Sequence, residues 1–301
     1  MSDPAPSSPG PPIPQRPRAA LALVVAMVAL LVGLLVVVDS RDDPESRDAD
    51  RVGAPISSDP AAGSDTTPVP APPATGRASA RLRVPTPESP LRVWVGGDSL
   101  AAGPSAAVWG AARDTGVITP LAEYQVGTGL VRDEFWDWPR HLDGVLHARD
   151  PEVVIFMVGA NDDQPLAVDG TSYRLPDQPW LDEYRKRVAT LMELLTKDGR
   201  RAIWIGMPPM RDPEYSAAIG VIDQIYLEEA ARYPRMMYVD AWALFSGSEG
   251  PGSYAQELPG TDGALEDVRL DDGIHLSVAG SRRLAAAVME RLGQWVTLPT
   301  P

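Results

Sequence analysis

The chain has 301 residues, with 41 aspartates and glutamates against 27 lysines and arginines, and it contains no cysteine. The lack of cysteine excludes disulfides, thiolate metal sites and a cysteine nucleophile, and the acidic balance argues against a nucleic-acid partner, which would need a basic face. Three histidines, His141, His147 and His275, are the candidates for an imidazole base.

The amino-terminal part predicts a membrane anchor. Residues 1–18 are rich in proline and serine, end in Arg16 and Arg18, and predict a short disordered cytoplasmic tail. Residues 19–38 are apolar and uncharged, and as a helix they would span about 30 Å, the thickness of a bilayer core. A cleaved signal peptide is the alternative, but its apolar region usually runs only about 7–15 residues. We therefore expect a single-pass signal-anchor that inserts residues 19–38 into the lipid bilayer and leaves the chain after them extracytoplasmic.

The next two segments differ sharply in composition and in hydrophobic pattern. Residues 39–90 consist mainly of Asp, Pro, Ala, Ser, Gly and Thr and predict a disordered, semi-extended linker. From 91 to 297, short apolar runs alternate with segments of helical period, which predicts one α/β domain with a parallel sheet. The predicted strands are 92–95, 123–126, 153–158, 202–206 and 237–239, and the predicted helices are 104–115, 135–149, 180–198, 213–233 and 278–296.

The first predicted strand runs into Gly96-Gly97-Asp98-Ser99-Leu100. A strand that turns sharply into a helix places the turn residue at the carboxyl edge of the sheet, where open α/β folds bind their ligands. Two interpretations of Ser99 are open at this point: a helix N-cap, for which serine is a preferred residue, or a catalytic nucleophile.

Three later stretches carry further polar candidates. Gly127-Thr128-Gly129 suits either a tight turn or a backbone N–H that faces a ligand. Asn161, in Gly159-Ala160-Asn161-Asp162, suits either an Asx-turn or an oxyanion donor. In Asp272-Gly273-Ile274-His275, a carboxylate three residues before a histidine can orient the imidazole, unless the stretch is an ordinary surface loop.

The other two histidines suit the role of the base less well than His275. His141 and His147 fall in a predicted amphipathic helix, where we expect surface or structural roles. No His-x-x-x-His or clustered carboxylate motif accompanies His275, so we expect neither a metal nor a cofactor.

In combination, these stretches resemble the sequence blocks of the SGNH (GDSL) hydrolase superfamily. Gly97-Asp98-Ser99-Leu100 resembles its nucleophile block, 159–162 its Gly-x-Asn-Asp block and 272–275 its Asp-x-x-His block, while 127–129 stands where its glycine block belongs. The runs 129–132 and 135–139 also resemble a bacterial subgroup catalogued as domain of unknown function 459.

The resemblance implies a fold and a set of roles. The fold would be a three-layer α/β/α, flavodoxin-like SGNH-hydrolase fold with a five-stranded parallel sheet in the order 2-1-3-4-5. Ser99 would attack an ester carbonyl, His275 would take its proton, and Asp272 would orient His275. The oxyanion hole would comprise the N–H groups of Ser99 and Gly129 and the side chain of Asn161, with Gly129 favoured over Gly127 by the likeness to the subgroup.

The predicted function is that of a membrane-anchored, extracytoplasmic serine esterase. Its substrate would be a short acyl ester, such as an acetyl group on a cell-envelope glycan. Two alternatives stay open: an O-acyltransferase supplied by a multi-span membrane partner, and a catalytically idle binding domain. Trp136 and Trp138 are either a sugar-stacking platform or buried packing residues.

Overall fold

The computed structural model describes residues 82–299. The predicted tail 1–18, the predicted transmembrane helix 19–38 and the predicted linker as far as residue 81 lie outside the described residues. Within 82–299, no helix is long and apolar enough to cross a bilayer.

Strands and helices alternate along the described chain. In order they are β1 (Leu91–Gly97), α1 (Ala102–Asp114), β2 (Ile118–Tyr124), α2 (Trp138–Arg149), β3 (Val153–Met157), β4 (Leu166–Val168), β5 (Thr171–Tyr173), α3 (Gln178–Thr196), β6 (Arg201–Ile205), α4 (Pro213–Ala230), β7 (Met236–Val239), α5 (Ala241–Leu244), β8 (Glu257–Pro259), β9 (Leu265–Asp267) and α6 (Val278–Trp295).

Five parallel strands form the central sheet in the order β2-β1-β3-β6-β7. Numbered by the five sheet strands alone, this is the predicted order 2-1-3-4-5, so the predicted α/β fold is confirmed. Helix α1 packs against α6, whereas α2, α3 and α4 pack in a row. A sheet flanked by helices on both faces buries its central strand completely, and all five residues of β3 are buried.

Large aromatic side chains fill the space between the sheet and its helices. The ring centroids of Trp94 and Phe156 lie 6.2 Å apart, and those of Phe156 and Trp204 lie 5.3 Å apart. All three residues are at most 1% exposed. Because β1, β3 and β6 are adjacent, their side chains form one continuous core that fixes the relative positions of the strand ends.

The second strand lies earlier than predicted, at Ile118–Tyr124 rather than 123–126. It contains Pro120, which lacks the N–H that an interior strand would donate. The position is tolerated because β2 is an edge strand of the sheet. The hairpins β4–β5 and β8–β9 were not predicted, since each of their strands has only three residues.

Residues 82–90 lie along the domain. The N–H of Leu82 donates to the carbonyl of Trp295 over 2.9 Å. Arg83 makes two hydrogen bonds of 2.9 Å to the carboxylate of Glu152 and also donates to the carbonyl of Pro90. The described end of the segment that composition assigns to the linker is therefore hydrogen-bonded to the folded chain.

Candidate active site

The turn that carries Ser99 joins the carboxyl end of β1 to α1. A Cβ at Gly97 would overlap the carbonyl oxygen of Met157, so glycine permits the close approach of β1 and β3 there. Asp98 then accepts a hydrogen bond from the N–H of Leu100 and caps a short 3₁₀ turn that begins at Ser99. The cap belongs to Asp98 rather than to Ser99, which leaves the serine hydroxyl for another partner.

That partner is His275, on the segment between β9 and α6. Its Nε2 lies 3.1 Å from Ser99 Oγ, and its Nδ1 lies 2.6 Å from Asp272 Oδ2. The other carboxylate oxygen of Asp272 accepts the backbone N–H groups of Ile274 and His275, at 2.8 and 2.9 Å. The serine, the imidazole and the carboxylate thus form one hydrogen-bonded chain.

The surroundings of Asp272 keep its carboxyl ionised. Burial acts to raise its pKa, but the hydrogen bond to the His275 ring and the two backbone N–H groups outweigh burial and lower the pKa to about 2. The side chains of Asp272 and His275 are 10% and 14% exposed. A negative charge beside Nδ1 favours the tautomer that carries its hydrogen there, which leaves Nε2 free to accept a proton from Ser99.

Asn161 contacts the glycine loop that follows β2. Its Nδ2 donates one hydrogen to the carbonyl of Thr128 over 2.8 Å, which orients the amide and leaves its second hydrogen to donate elsewhere. Gly127 and Gly129 differ in burial and in why each position suits glycine. Gly127 is exposed with φ +74°, as a turn requires, whereas Gly129 is buried and a Cβ there would overlap the carboxylate of Asp162.

Asp162 holds this loop from within the core. Its two oxygens accept the N–H groups of Leu130 and Val131, each at 2.9 Å, and one of them also accepts the hydroxyl of Tyr184 at 2.7 Å. The aspartate is 0% exposed, and burial raises its pKa. Arg187 donates to the carbonyl oxygens of the same two residues, Leu130 and Val131.

Asp98 joins the serine turn to the asparagine block. Besides capping Leu100, its carboxylate accepts the N–H groups of Gly159 and Ala160, at 2.8 and 2.9 Å. Burial is complete and raises its pKa to about 6, although the three N–H donors act in the opposite direction. This role of Asp98 is not predicted by any sequence pattern. The only signal was the position of an aspartate directly before the candidate serine, where it indicated no more than a cap.

The other sequence candidates lie away from this chain of hydrogen bonds. Trp138 is 2% exposed and its Nε1 donates to Thr128 Oγ1, so it is a packing residue and not a sugar platform. The His141 ring packs against Trp136 and Trp138 near Glu123. His147 is exposed and lies beside Asp143. Among residues 82–299, no cluster of three or more His, Cys, Asp or Glu side chains could hold a metal ion.

Comparison with known proteins gives one family match and several structural likenesses. The family described as "Protein of unknown function (DUF459)" matches residues 92–291. No curated protein matches the chain.

Three solved structures illustrate the likenesses. A variant of Axe2, an acetyl xylan esterase from Geobacillus stearothermophilus, is 20% identical, with 70% of this chain and 97% of that chain covered and a TM-score of 0.46. A GDSL-like lipase from Bacteroides thetaiotaomicron is 14% identical, with 71% and 92% covered and a TM-score of 0.48. An alpha/beta hydrolase from the metagenome of Lake Arreo, Spain, is 18% identical, with 68% and 96% covered and a TM-score of 0.49.

Proposed function

The chain belongs to the DUF459 family, as its resemblance to that subgroup predicts, and from this premise we propose that it is a serine esterase of the SGNH type. One observation carries the proposal. Ser99 Oγ lies 3.1 Å from His275 Nε2, and His275 Nδ1 lies 2.6 Å from Asp272 Oδ2, so that both pairs are at hydrogen-bond distance. This is the arrangement in which a neutral imidazole activates a serine hydroxyl.

The chemistry follows from the positions of these groups. Ser99 Oγ attacks the acyl carbonyl carbon while His275 Nε2 takes the hydroxyl proton, and Asp272 stabilises the resulting imidazolium. The tetrahedral oxyanion receives hydrogen bonds from the N–H groups of Ser99 and Gly129 and from the amide of Asn161. His275 then gives its proton to the departing alcohol, and water releases the acyl group from Ser99 by the same steps in reverse.

The proposed substrate is a short acyl ester, such as an acetyl group on a cell-envelope glycan. The predicted signal-anchor at residues 19–38 and the predicted linker at 39–90 support this class, because together they would hold the domain on the outer side of the membrane. The acidic chain, with a formal net charge of −14, would repel a polyanionic acceptor, which favours neutral glycan esters.

The proposal is tested with the full-length protein and a short-chain aryl ester. We expect Ser99→Ala to lower kcat/KM by roughly 10³-fold or more, since triad members act as a unit, and to abolish labelling by a fluorophosphonate probe. Ser172→Ala, at an exposed serine on β5, is the control and should leave both measurements unchanged. Equal rates in the wild type and Ser99→Ala, or an unlabelled wild type, would overturn the proposal.

A further inference from the structure

Arg269 is a buried cation that the proposed chemistry does not use. It precedes the Asp272–His275 turn by a few residues and is 2% exposed. Burial lowers the pKa of its guanidinium to about 10, while Tyr254 and Asp272 act in the opposite direction. The group therefore stays charged at neutral pH inside the protein.

The guanidinium of Arg269 donates its hydrogen bonds to backbone carbonyl oxygens. It donates to the carbonyl of Ile274 over 2.9 Å and to the carbonyl of Pro209 over 2.5 Å. Ile274 is the residue before His275, and Pro209 belongs to the loop that follows β6. Arg269 thus links the turn that carries the imidazole to the carboxyl end of the central sheet.

Aromatic rings complete the surroundings of this arginine. Its Cζ lies 5.2 Å from the ring centroid of Phe245 and 5.6 Å from that of Tyr254. Among the described residues, no carboxylate comes within ion-pair distance of the guanidinium. Burying a cation without a paired anion is costly, so a packing role alone would be served better by an apolar side chain.

A second arginine holds the same turn from the solvent side. The side chain of Arg211 donates to the carbonyl of Asp271 over 2.6 Å, and its backbone N–H donates to the carbonyl of Gly273 over 3.1 Å. The Arg211 guanidinium therefore holds the carbonyl of Asp271, which precedes Asp272, and the Arg269 guanidinium holds the carbonyl of Ile274, which follows it. Only Arg269 acts from the interior, where no water competes for its bonds.

We propose that Arg269 is a positioning residue, which holds the carbonyl of Ile274 so that the His275 ring stays aligned between Asp272 and Ser99. The inference rests on the proposed function, because alignment matters only if His275 acts as the base. A misplacement of about 1 Å at a reacting group can cost on the order of 10²-fold in rate. The planar guanidinium suits this task because its donors point in fixed, separate directions, whereas a lysine offers one point charge.

The test compares Arg269→Lys and Arg269→Met with the wild type in the full-length protein. The first readout is kcat and KM for an aryl ester. The second is the low-field proton NMR signal of the His275 Nδ1 hydrogen that is shared with Asp272. We expect kcat to fall about tenfold in Arg269→Lys and further in Arg269→Met, with KM changed less than about twofold. The low-field signal should shift or weaken in both variants.

Arg201→Met is the matched control. Arg201 is also a buried arginine over an aromatic ring, 5.2 Å from the centroid of Trp295, and it lies at the start of β6, at the end of the strand opposite the Pro209 loop. Its loss should lower stability without changing kcat or the low-field signal. Such an outcome separates positioning from a general loss of stability.

The inference is overturned if a folded Arg269 variant keeps the wild-type signal, whether or not kcat falls. If Arg269→Met does not fold, Arg269→Lys, which retains the charge, decides alone. Failure of the proposed function would show differently: the wild type would hydrolyse no ester, while the low-field signal would still report whether Arg269 aligns His275.

Discussion

Three aspartates around the candidate site, two of them buried and the third half-buried, show how the surroundings set the charge of one residue type. Burial raises the pKa of Asp98 and Asp162, and their hydrogen bonds from backbone N–H groups only oppose that effect. Asp272 also has the His275 imidazole as a partner, and its pKa falls to about 2. The carboxylate next to the proposed base is thus the one whose charge is secured across the working pH range.

Asp272→Asn tests this charge directly. The amide keeps the shape of the side chain but favours the wrong tautomer of His275, so we expect kcat to fall by about 10³–10⁴-fold. Because wild-type Asp272 is ionised well below neutral pH, the deficit should persist at every pH from about 4 to 9. Activity of the variant that approaches the wild type at low pH would contradict this prediction. Asp271→Asn, at the exposed neighbour, is the control.

Asp272→Asn should also change how the free energy of unfolding depends on pH. The folded-state pKa of Asp272 lies below its ordinary value of 3.8, so its ionised form stabilises the fold above about pH 4, and that contribution is lost as the pH falls towards 2. The difference in unfolding free energy between the wild type and Asp272→Asn should therefore narrow over this interval. Urea denaturation at several pH values measures it, and a gap that widens on acidification would refute the assignment.

At the scale of elements, the loop after β2 owes its shape to contacts on both sides. Asp162 holds the N–H groups of Leu130 and Val131, and Arg187 holds their carbonyl oxygens. The peptide between Leu130 and Val131 is thus held at both its N–H and its carbonyl, and the peptide on either side of it is held at one group. The arrangement fixes the path of the chain at Gly129, the proposed oxyanion donor.

Substitutions at the glycines of this loop should separate their roles. Gly129→Ala places a methyl group against Asp162, so we expect a loss of about 1–3 kcal/mol in stability and a strong drop in kcat. Gly127→Ala meets nothing closer than 3.9 Å but must adopt φ +74°, which costs roughly 1 kcal/mol and should spare kcat. Gly110→Ala in α1 has open space and should be neutral or stabilising. Equal kcat values in all three variants would refute this difference.

Arg187→Met tests the other side of the loop. Without the guanidinium, the carbonyls of Leu130 and Val131 lose their donor, and we expect kcat to fall about tenfold with KM nearly unchanged, because the oxyanion interaction is made mainly in the transition state. Arg185→Met is the control, since Arg185 lies on the same helix but pairs with Glu228 and Glu229 instead. A loss of the same size in both variants would show that the effect is not specific to the loop.

At the scale of the whole molecule, the folded domain extends beyond the predicted boundary at residue 91. Leu82 and Arg83 hydrogen-bond to Trp295 and Glu152, which lie far apart in the folded sequence. Arg83 is 36% exposed in its side chain while Glu152 is 19% exposed, so the ion pair itself adds little and the ordering of the segment matters more.

This boundary predicts a difference between two fragments. Residues 82–301 should unfold at a higher urea concentration than residues 91–301, with a free energy of unfolding that is about 1–2 kcal/mol larger. The reason is that the shorter fragment loses several hydrogen bonds and leaves Glu152 without Arg83 as its partner. Arg83→Met in the longer fragment should account for part of the difference. Identical denaturation midpoints for the two fragments would show that residues 82–90 do not stabilise the domain.

Much of the site followed from the sequence because of one property of parallel sheets. The carboxyl ends of parallel strands share an edge, so polar residues placed just after strands 1 and 3, as Ser99 and Asn161 are, must lie near one another. The composition and the order of the apolar runs likewise determined the α/β class. The predicted position of β2 was wrong: the strand contains a proline, which is tolerated only because β2 lies at the sheet edge, and edge or interior position is not a local property.

The remaining features of the site depend on contacts between residues far apart in the chain. No local sequence pattern predicts the contacts of Asp98 with Gly159, of Gly129 with Asp162, or of Arg269 with Pro209. Local sequence determines which side chains are available and where a strand or helix ends. Only packing determines which polar groups lose water together and which partners they meet, and these partners set the charge of Asp272, the need for glycine at 129 and the contacts of Arg269.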